Sequence, residues 1–413
     1  VQQKIYQKEE HGISLHQIDS DALMVMDRLR NAGYIAYLVG GSVRDLLLRK
    51  KPKDFDISTS AEPHEIKQLF RNCILIGKRF RLAHIRFGKK ILEVSTFRSG
   101  DIEKEALIVR DNEWGTPQQD VFRRDFTING LFYDSSNESV IDYVGGYQDL
   151  QKKYLRTIGA PYVRFKQDPV RMIRLLKFRA RFGFEIDEEA KIALLDCRHE
   201  ILKSSPARIL EEFLRMLEIG AAEPFCRLLA EYTFFELLMP GLAHFLEHAS
   251  GEEVYAFLQE ADLIVNETPS TLIPRPVLLC CLCFTFLQLH LKDRYLDRNR
   301  HAHLGNIQEE AQLLVDEIFR PFLLLPRRLK TSVIMILTSQ YRLTPLEKKR
   351  YHRLRVPFDP DFPLALEFLK LRCRIEPSLQ IIWEEWSQAM DSIETPFPRP
   401  RRKRRKRKSP PKP

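Results

Sequence analysis

The chain is sparing with tryptophan and cysteine: three and seven in 413 residues. The cysteines follow no metal-binding spacing, which excludes a zinc-finger or zinc-ribbon reading. Their odd number and the apolar setting of "CCLC" (residues 280–283) argue against a disulfide framework. They read as reduced core thiols, and so as those of a cytoplasmic protein. Long hydrophobic runs are also missing. The longest, "VLLCCLCFTFLQL" (277–289), falls short of the roughly 20 residues of a crossing helix and reads as buried. The opening "VQQKIYQKEEHG" lacks the apolar core of a secretory leader. No internal repeat is evident, and acidic residues are absent from positions 395–413.

What is present is an apolar fraction of 44%, enough for a sizeable core, in a chain long enough for two to four modules of the usual about 100 to 200 residues. The net charge of +10 sits in one place: residues 395–413 carry ten basic side chains, and the rest of the chain is close to neutral. Eight of them are consecutive, Arg401, Arg402, Lys403, Arg404, Arg405, Lys406, Arg407 and Lys408. Flanked by prolines, such a run cannot pack and is expected to be disordered. It reads either as a solvated tail or as an RNA-binding arm whose phosphate contacts release counterions.

The first 150 residues alternate helix and strand patterns. The stretch "DSDALMVMDRLRNA" (19–32) has helical spacing and ends at Gly33, while "YIAYLVGG", "DFDIS" and "KILEVSTF" read as strands. "AEPHEIKQLF" (61–70) reads as a helix and "LIGKRFRLAHIRFG" (75–88) as a strand or hairpin arm. From about residue 168 the strand signals fade and apolar residues recur at three and four spacing. The C-terminal half therefore reads as all-helical.

Two carboxylates lie one residue apart in "KDFDIS". If this is a strand, Asp54 and Asp56 share one face roughly 6 to 7 Å apart. Aspartate is disfavoured in strands, and two ionised carboxylates this close repel unless a cation lies between them. Hard oxygen donors suit Mg²⁺, with Mn²⁺ as the alternative, and Mg²⁺ is the usual companion of nucleotide phosphates. A strand end with both carboxylates in water fits the same residues. Upstream, Gly40 and Gly41 separate a strand from the helix "SVRDLLL", a turn at which backbone N–H groups can approach an anion. Ser42 and Arg44 add a hydroxyl and a cation. The combination describes a phosphate cradle facing a metal site.

"LVGGSVRDLLL" with "KDFDIS" resembles the active-site signature of the nucleotidyltransferase superfamily that includes DNA polymerase β, in the branch of tRNA nucleotidyltransferases and bacterial poly(A) polymerases. "RRDFTINGLFYD" (123–134), "DYVGGYQDL" (142–150) and "DPVRMIRLLKFRARFGFEID" (168–187) are similar to further motifs of that branch. The resemblance spans about residues 25–215. It implies an α+β chain: a polymerase β-like head with a mixed sheet, an all-α C-terminal half and a disordered basic tail. The corresponding divisions are an N-terminal extension (1–24), head (25–155), helical neck (156–220), helical RNA-binding body (221–392) and tail (393–413).

Residue by residue, the resemblance implies that Asp54 and Asp56 hold metal, that Asp125 is a third essential acid and that Glu93 adds a carboxylate beside the pair. Gly40, Gly41, Ser42, Arg44, Arg124 and Asn129 would hold sugar and phosphates. Asp168, Arg171 and Arg174 would face the incoming base. Each has a plainer reading: Asp125 as an acceptor of backbone N–H groups at a helix start, Glu93 on an edge strand, and Asp168 with Pro169 as a helix N-cap. The family acid preceding Asp168 is Gln167 here. "LIGKRFRLAHIRFGKKILEVSTFR" (75–98) resembles the poly(A) polymerase version of that segment, so the expected activity is addition of AMP from ATP to RNA 3′ ends. A CCA-adding enzyme and a non-catalytic RNA-binding protein on the same fold are the alternatives. RNA-decay or RNA-chaperone proteins are possible partners, no membrane is expected, and a monomer is favoured.

Overall fold

The computed structural model describes residues 3–77, 82–99, 113–248, 250–268, 270–298, 300–346 and 354–392. The tail of residues 393–413, with its eight consecutive cations, lies outside the described residues. The chain divides after Glu212 into two compact units.

In the first unit, eight strands form a single mixed sheet. They are β1 (Lys4–Tyr6), β2 (Ala36–Val39), β3 (Ile57–Thr59), β4 (Cys73–Ile76), β5 (Leu82–Phe87), β6 (Lys90–Thr96), β7 (Leu131–Asp134) and β8 (Ser139–Asp142). Their spatial order is β1-β8-β7-β2-β3-β6-β5-β4, with β3 and β6 parallel and the other neighbours antiparallel. A separate parallel pair joins β9 (Tyr154–Leu155) to β10 (Glu185–Ile186). The helices are α1 (Lys8–His11), α2 (Ser20–Asn31), α3 (Gly41–Leu47), α4 (Pro63–Leu69), α5 (Pro117–Phe122), α6 (Gly146–Gln151), α7 (Pro161–Gln167), α8 (Val170–Phe182), α9 (Glu188–Cys197) and α10 (Pro206–Leu217), within which the division falls.

Sequence accounts for the parts that carry the site. In β6, Leu92, Val94 and Thr96 are buried, so Glu93 and Ser95 point to the opposite face. This strand lies between β3 and β5, so Glu93 is not on a sheet edge. Helix α8 ends at Gly183, whose φ of 67° is the left-handed conformation a C-terminal glycine accepts without Cβ strain. Val39, Phe97, Val121, Phe132, Ile141 and Ile158 form one of the apolar clusters beneath the sheet.

Two readings shift. Residues 4–6, placed by sequence in an extension ahead of the head, form the edge strand β1, paired with β8 from Lys4↔Asp142 to Tyr6↔Val140. The strand expected over "DFDIS" begins only at Ile57. Asp54, Phe55 and Asp56 precede it, although the Asp56 carbonyl still accepts from Val39 N–H at 3.1 Å and so keeps the chain extended.

The second unit contains α11 (Ala222–Glu231), α12 (Phe234–Leu238), α13 (Pro240–Leu246), α14 (Gly251–Glu267), α15 (Arg275–Leu291), α16 (Leu304–Phe319), α17 (Arg327–Leu343), α18 (Phe362–Ile375) and α19 (Gln380–Asp391). Its described residues form no strand. With the π-helical turn that follows it, α15 runs for 22 residues, long and apolar enough to cross a bilayer and longer than its apolar run suggested. Its side chains from Val277 to Thr285 are all buried, as in a core helix. All seven cysteines of the chain are buried free thiols.

Candidate active site

The glycine turn sits between two guanidinium groups. Gly40 adopts φ 67° and ψ −124° between β2 and α3. A Cβ there would lie 3.3 Å from Arg124 Nη1, and one at Gly41 would lie 3.4 Å from Arg44 Nη2. At Gly40 the positive φ favours glycine and a side chain would press on the Arg124 guanidinium, so glycine there keeps the backbone open to a ligand where two cations converge. Arg44 is buried. Its Nε donates to Asp45 Oδ1 at 2.9 Å and its Nη1 to Asn129 Oδ1 at 2.6 Å. The guanidinium also lies 5.3 Å from the Phe178 ring and 4.9 Å from that of Phe182. Burial lowers the Arg44 pKa, and Asp45 opposes that shift. Asp45 additionally pairs with Arg181 at 3.2 Å.

Arg124 and its neighbour Arg123 are fixed from behind by Asp120, which is 0% exposed. Arg123 donates through Nε and Nη2 to Asp120 Oδ1 at 2.8 and 2.5 Å. Arg124 donates to Oδ2 from Nε at 3.1 Å and from Nη2 at 2.7 Å. Burial alone would raise the Asp120 pKa, but Arg124 and Arg123 outweigh it and hold the carboxyl below its usual range.

The acidic side of the site is Asp56 with Glu93 and Asp54. Asp56 lies on the cavity wall and is exposed there. Its pKa is pushed up to about 6, first by desolvation from the surrounding protein and then by Glu93 and Asp54, with Arg124 pulling the other way. A carboxylate whose pKa is raised by two neighbouring carboxylates belongs to a donor set that a hard divalent cation would relieve, and in that respect the residues fit Mg²⁺. Among the described residues no three histidine, cysteine, aspartate or glutamate side chains are already gathered as a metal cage. The rest of an ion's shell would have to come from water and phosphate oxygens.

Asp125 lies on the wall of the same cavity as Asp56 and has its own partners: it pairs with Arg174 Nη2 at 2.7 Å and accepts from Asn129 Nδ2 at 3.1 Å and from Phe126 N–H at 2.8 Å. Burial raises its pKa, but Arg174, Asn129 and the Phe126 N–H together keep it below normal. Asn129 therefore joins Arg44 to Asp125, and one polar chain runs from Asp45 through Arg44, Asn129 and Asp125 to Arg174.

On α8, Arg171 is buried and spends Nη1 on the Arg164 carbonyl and Nη2 on the Arg123 carbonyl, both at 3.2 Å. It braces the main chain behind the arginine wall instead of presenting a free fork to a base. Asp168 does not cap α8 with its side chain: Oδ2 accepts from Arg208 Nη2 at 2.9 Å, and Oδ1 is buried without a partner among the described residues. Gln167 accepts from Arg164 Nη1 at 2.7 Å.

These groups line a cavity of about 990 Å³, at the upper end of the usual ligand-pocket range. Ten arginine and lysine side chains face four carboxylates there, so its charge favours a polyanion. Gly40, Gly41, Arg44, Asp56, Glu93, Arg124, Asp125, Asn129, Asp168, Arg171 and Arg174 all lie on its wall. Ser42 and Asp54 do not. The Ser42 hydroxyl donates to the Val39 carbonyl at 3.0 Å and is buried, so it closes the turn rather than meeting a phosphate. Asp54 lies two residues before Asp56 on the exposed chain ahead of β3. Sequence reading missed Asp120, Asp45, Arg181 and Arg208. Only Asp120 left a local signal, its spacing of three and four to Arg123 and Arg124.

Three segments match described families: residues 36–156 the "Poly A polymerase head domain", 183–246 the "Probable RNA and SrmB- binding site of polymerase A", and 308–412 the "Polymerase A arginine-rich C-terminus". Poly(A) polymerase I of Salmonella typhi is 36% identical over 398 residues, covering 93% of this chain and 85% of that protein. A CCA-adding enzyme of Staphylococcus epidermidis is also 36% identical, over 208 residues, 49% of this chain and 50% of that protein. In fold, the chain is similar to the Bacillus stearothermophilus CCA-adding enzyme solved in complex with CTP, with a TM-score of 0.64 at 23% identity over 90% of this chain and 82% of that one.

Proposed function

The chain belongs to the nucleotidyltransferase family that includes poly(A) polymerase I and the CCA-adding enzymes, and from that premise we propose that it is a template-independent poly(A) polymerase, adding AMP from ATP to RNA 3′ ends. The observation that carries this choice is the extent of likeness. Similarity to poly(A) polymerase I runs along 93% of the chain, and that to a CCA-adding enzyme along 49%. The match of residues 308–412 to the polymerase A arginine-rich C-terminus supports the same reading.

The cavity supports a division of labour. The turn at Gly40 and Gly41, with Arg124 and Arg44 on either side, binds the triphosphate, and Asp120 and Asp45 hold those arginines in place. Asp125 and Asn129 position Arg174 and Arg44. Asp168 faces the base, so the choice of nucleotide rests on protein side chains and needs no template. Asp54 and Asp56, with Glu93 beside them, would hold a divalent cation, Mg²⁺ or Mn²⁺, which when bound supplies charge stabilisation at the attacking 3′ oxygen and the departing pyrophosphate. Transfer joins the RNA 3′ oxygen to the α-phosphorus of ATP, breaks its bond to the bridging oxygen and releases pyrophosphate. The buried free thiols fit work in a reducing cytoplasm.

The test supplies purified full-length protein and Mg²⁺ with a generic single-stranded RNA and, separately, with a tRNA lacking its 3′ CCA. Each nucleoside triphosphate is offered alone, then all four together. Long products from ATP on the generic RNA are the expected result. CTP-dependent addition to the tRNA that stops at CCA would move the assignment to a CCA-adding enzyme, and no incorporation on either RNA would leave an RNA-binding protein on this fold.

A further inference from the structure

Two oxygens on the cavity wall are buried without hydrogen-bond partners among the described residues: Asp168 Oδ1 and Ser204 Oγ. Ser204 is 9% exposed, and its backbone is fixed by an N–H bond to the Ile201 carbonyl at 3.0 Å. It lies just ahead of α10, and that helix carries Arg208, which holds the other Asp168 oxygen at 2.9 Å. A buried polar atom left unpaired costs about 1 to 3 kcal/mol, so most such atoms have a partner. Two on one cavity wall, on segments tied together by Arg208, are the pattern of a site that pairs with its ligand.

The chemistry of the two atoms limits that ligand. An ionised Asp168 only accepts, and the Ser204 hydroxyl can donate. A base edge that complements them offers an amine beside an unprotonated ring nitrogen, as adenine and cytosine do. Guanine and uracil present a carbonyl oxygen at the corresponding place, which a carboxylate repels. Arg171, the donor expected from sequence, has Nη1 and Nη2 on main-chain carbonyls. We propose that Ser204 is a specificity residue of the nucleotide site, its hydroxyl donating to the ring nitrogen of an amino-bearing base while Asp168 Oδ1 accepts from the amine. This assignment rests on the nucleotidyltransferase reading and deepens it: the pair separates adenine and cytosine from guanine and uracil, and the choice between the first two lies with other features of the cavity.

The distinguishing feature is that the hydroxyl has no partner among the described residues. Ser204→Ala in the full chain should therefore leave the melting temperature without nucleotide unchanged or higher, while the rise produced by ATP with Mg²⁺ shrinks. In the transfer assay, kcat/KM for ATP should fall roughly tenfold, the worth of one lost hydrogen bond, with little change for GTP, and Ser204→Thr, which keeps the hydroxyl, should recover most of the loss. A variant that binds and uses ATP like the natural protein would overturn the proposal. So would one that melts lower without nucleotide, since the hydroxyl would then have a structural role. If the natural protein incorporates no nucleotide at all, the enzymatic reading fails separately, and the ATP-dependent melting shift still decides the role of Ser204.

Discussion

Arg124 Nη2 lies 2.7 Å from Asp120 Oδ2, and the same fully buried carboxylate holds Arg123 through its other oxygen. Removing one partner of a buried ion pair leaves uncompensated charge behind, typically at a cost of about 3 to 5 kcal/mol. Asp120→Ala is therefore expected to lower the urea midpoint of the protein by a corresponding amount and, in the fraction that remains folded, to raise KM for the nucleotide. Asp120→Glu, which keeps the charge with a longer arm, should recover part of both. A stability change below about 1 kcal/mol would show that the clamp contributes little.

The carboxylates near the glycine turn make a different prediction. Asp56 lies on the cavity wall and Asp54 two residues before it on an exposed stretch, whereas the arginines beside the glycine turn are held by Asp120 and Asp45. Asp56→Ala and Asp54→Ala should each abolish transfer, by several orders of magnitude, while the melting temperature and RNA affinity stay close to those of the natural protein. Gel-shift titration alongside the transfer assay separates the two. Loss of RNA binding in either variant would contradict a division between metal-holding and RNA-holding groups.

The short helix α1, which follows edge strand β1, brings a pH dependence of its own. His11 accepts from Ile13 N–H through Nδ1 at 2.9 Å and faces the Glu138 carbonyl through Nε2 at 2.9 Å. That pattern is satisfied by a neutral ring with its proton on Nε2. Burial lowers the His11 pKa below 6.5, against the Glu138 carbonyl and nearby glutamates that favour the charged form. A depressed histidine pKa means the unfolded chain takes up protons first. Its contribution to stability is present above about pH 6.5 and is lost as the pH falls through the lower folded value. Urea midpoints measured from about pH 7 down to about pH 5 should therefore decline more steeply for the natural protein than for His11→Gln.

The contrast between Asp120 and Asp45 shows what could be read before the structure. Asp120 stands three and four residues from the arginines it holds, a spacing that places side chains together on any helix. Asp45 meets Arg181 across 136 positions, and only the packing of α3 against α8 creates that pair. The glycine turn and the Asp54–Asp56 pattern were legible because the chemistry they serve is local. The strand reading starts three residues too early because alternation of charge and apolarity in "DFDIS" imitates a ladder that begins only at Ile57. For Arg171, helical spacing set the correct face of α8 but could not reveal that the main-chain carbonyls of Arg164 and Arg123 already stood there.

The arginine and lysine run at residues 401–408 makes the last prediction, one that depends on charge alone. If it contacts RNA phosphates, each cation releases about 0.7 counterions from a single strand, so eight of them contribute up to roughly 5 or 6 to the slope of log affinity against log salt. Deleting residues 393–413 should flatten that slope by several units and weaken binding to every generic RNA alike, since phosphate contacts carry no sequence information. Transfer to a very short primer at saturating concentration should fall far less, because the cavity residues belong to the first unit and the deletion leaves them intact. A tail that serves only solubility would leave the salt slope unchanged, and fluorescence anisotropy across a salt series distinguishes the two.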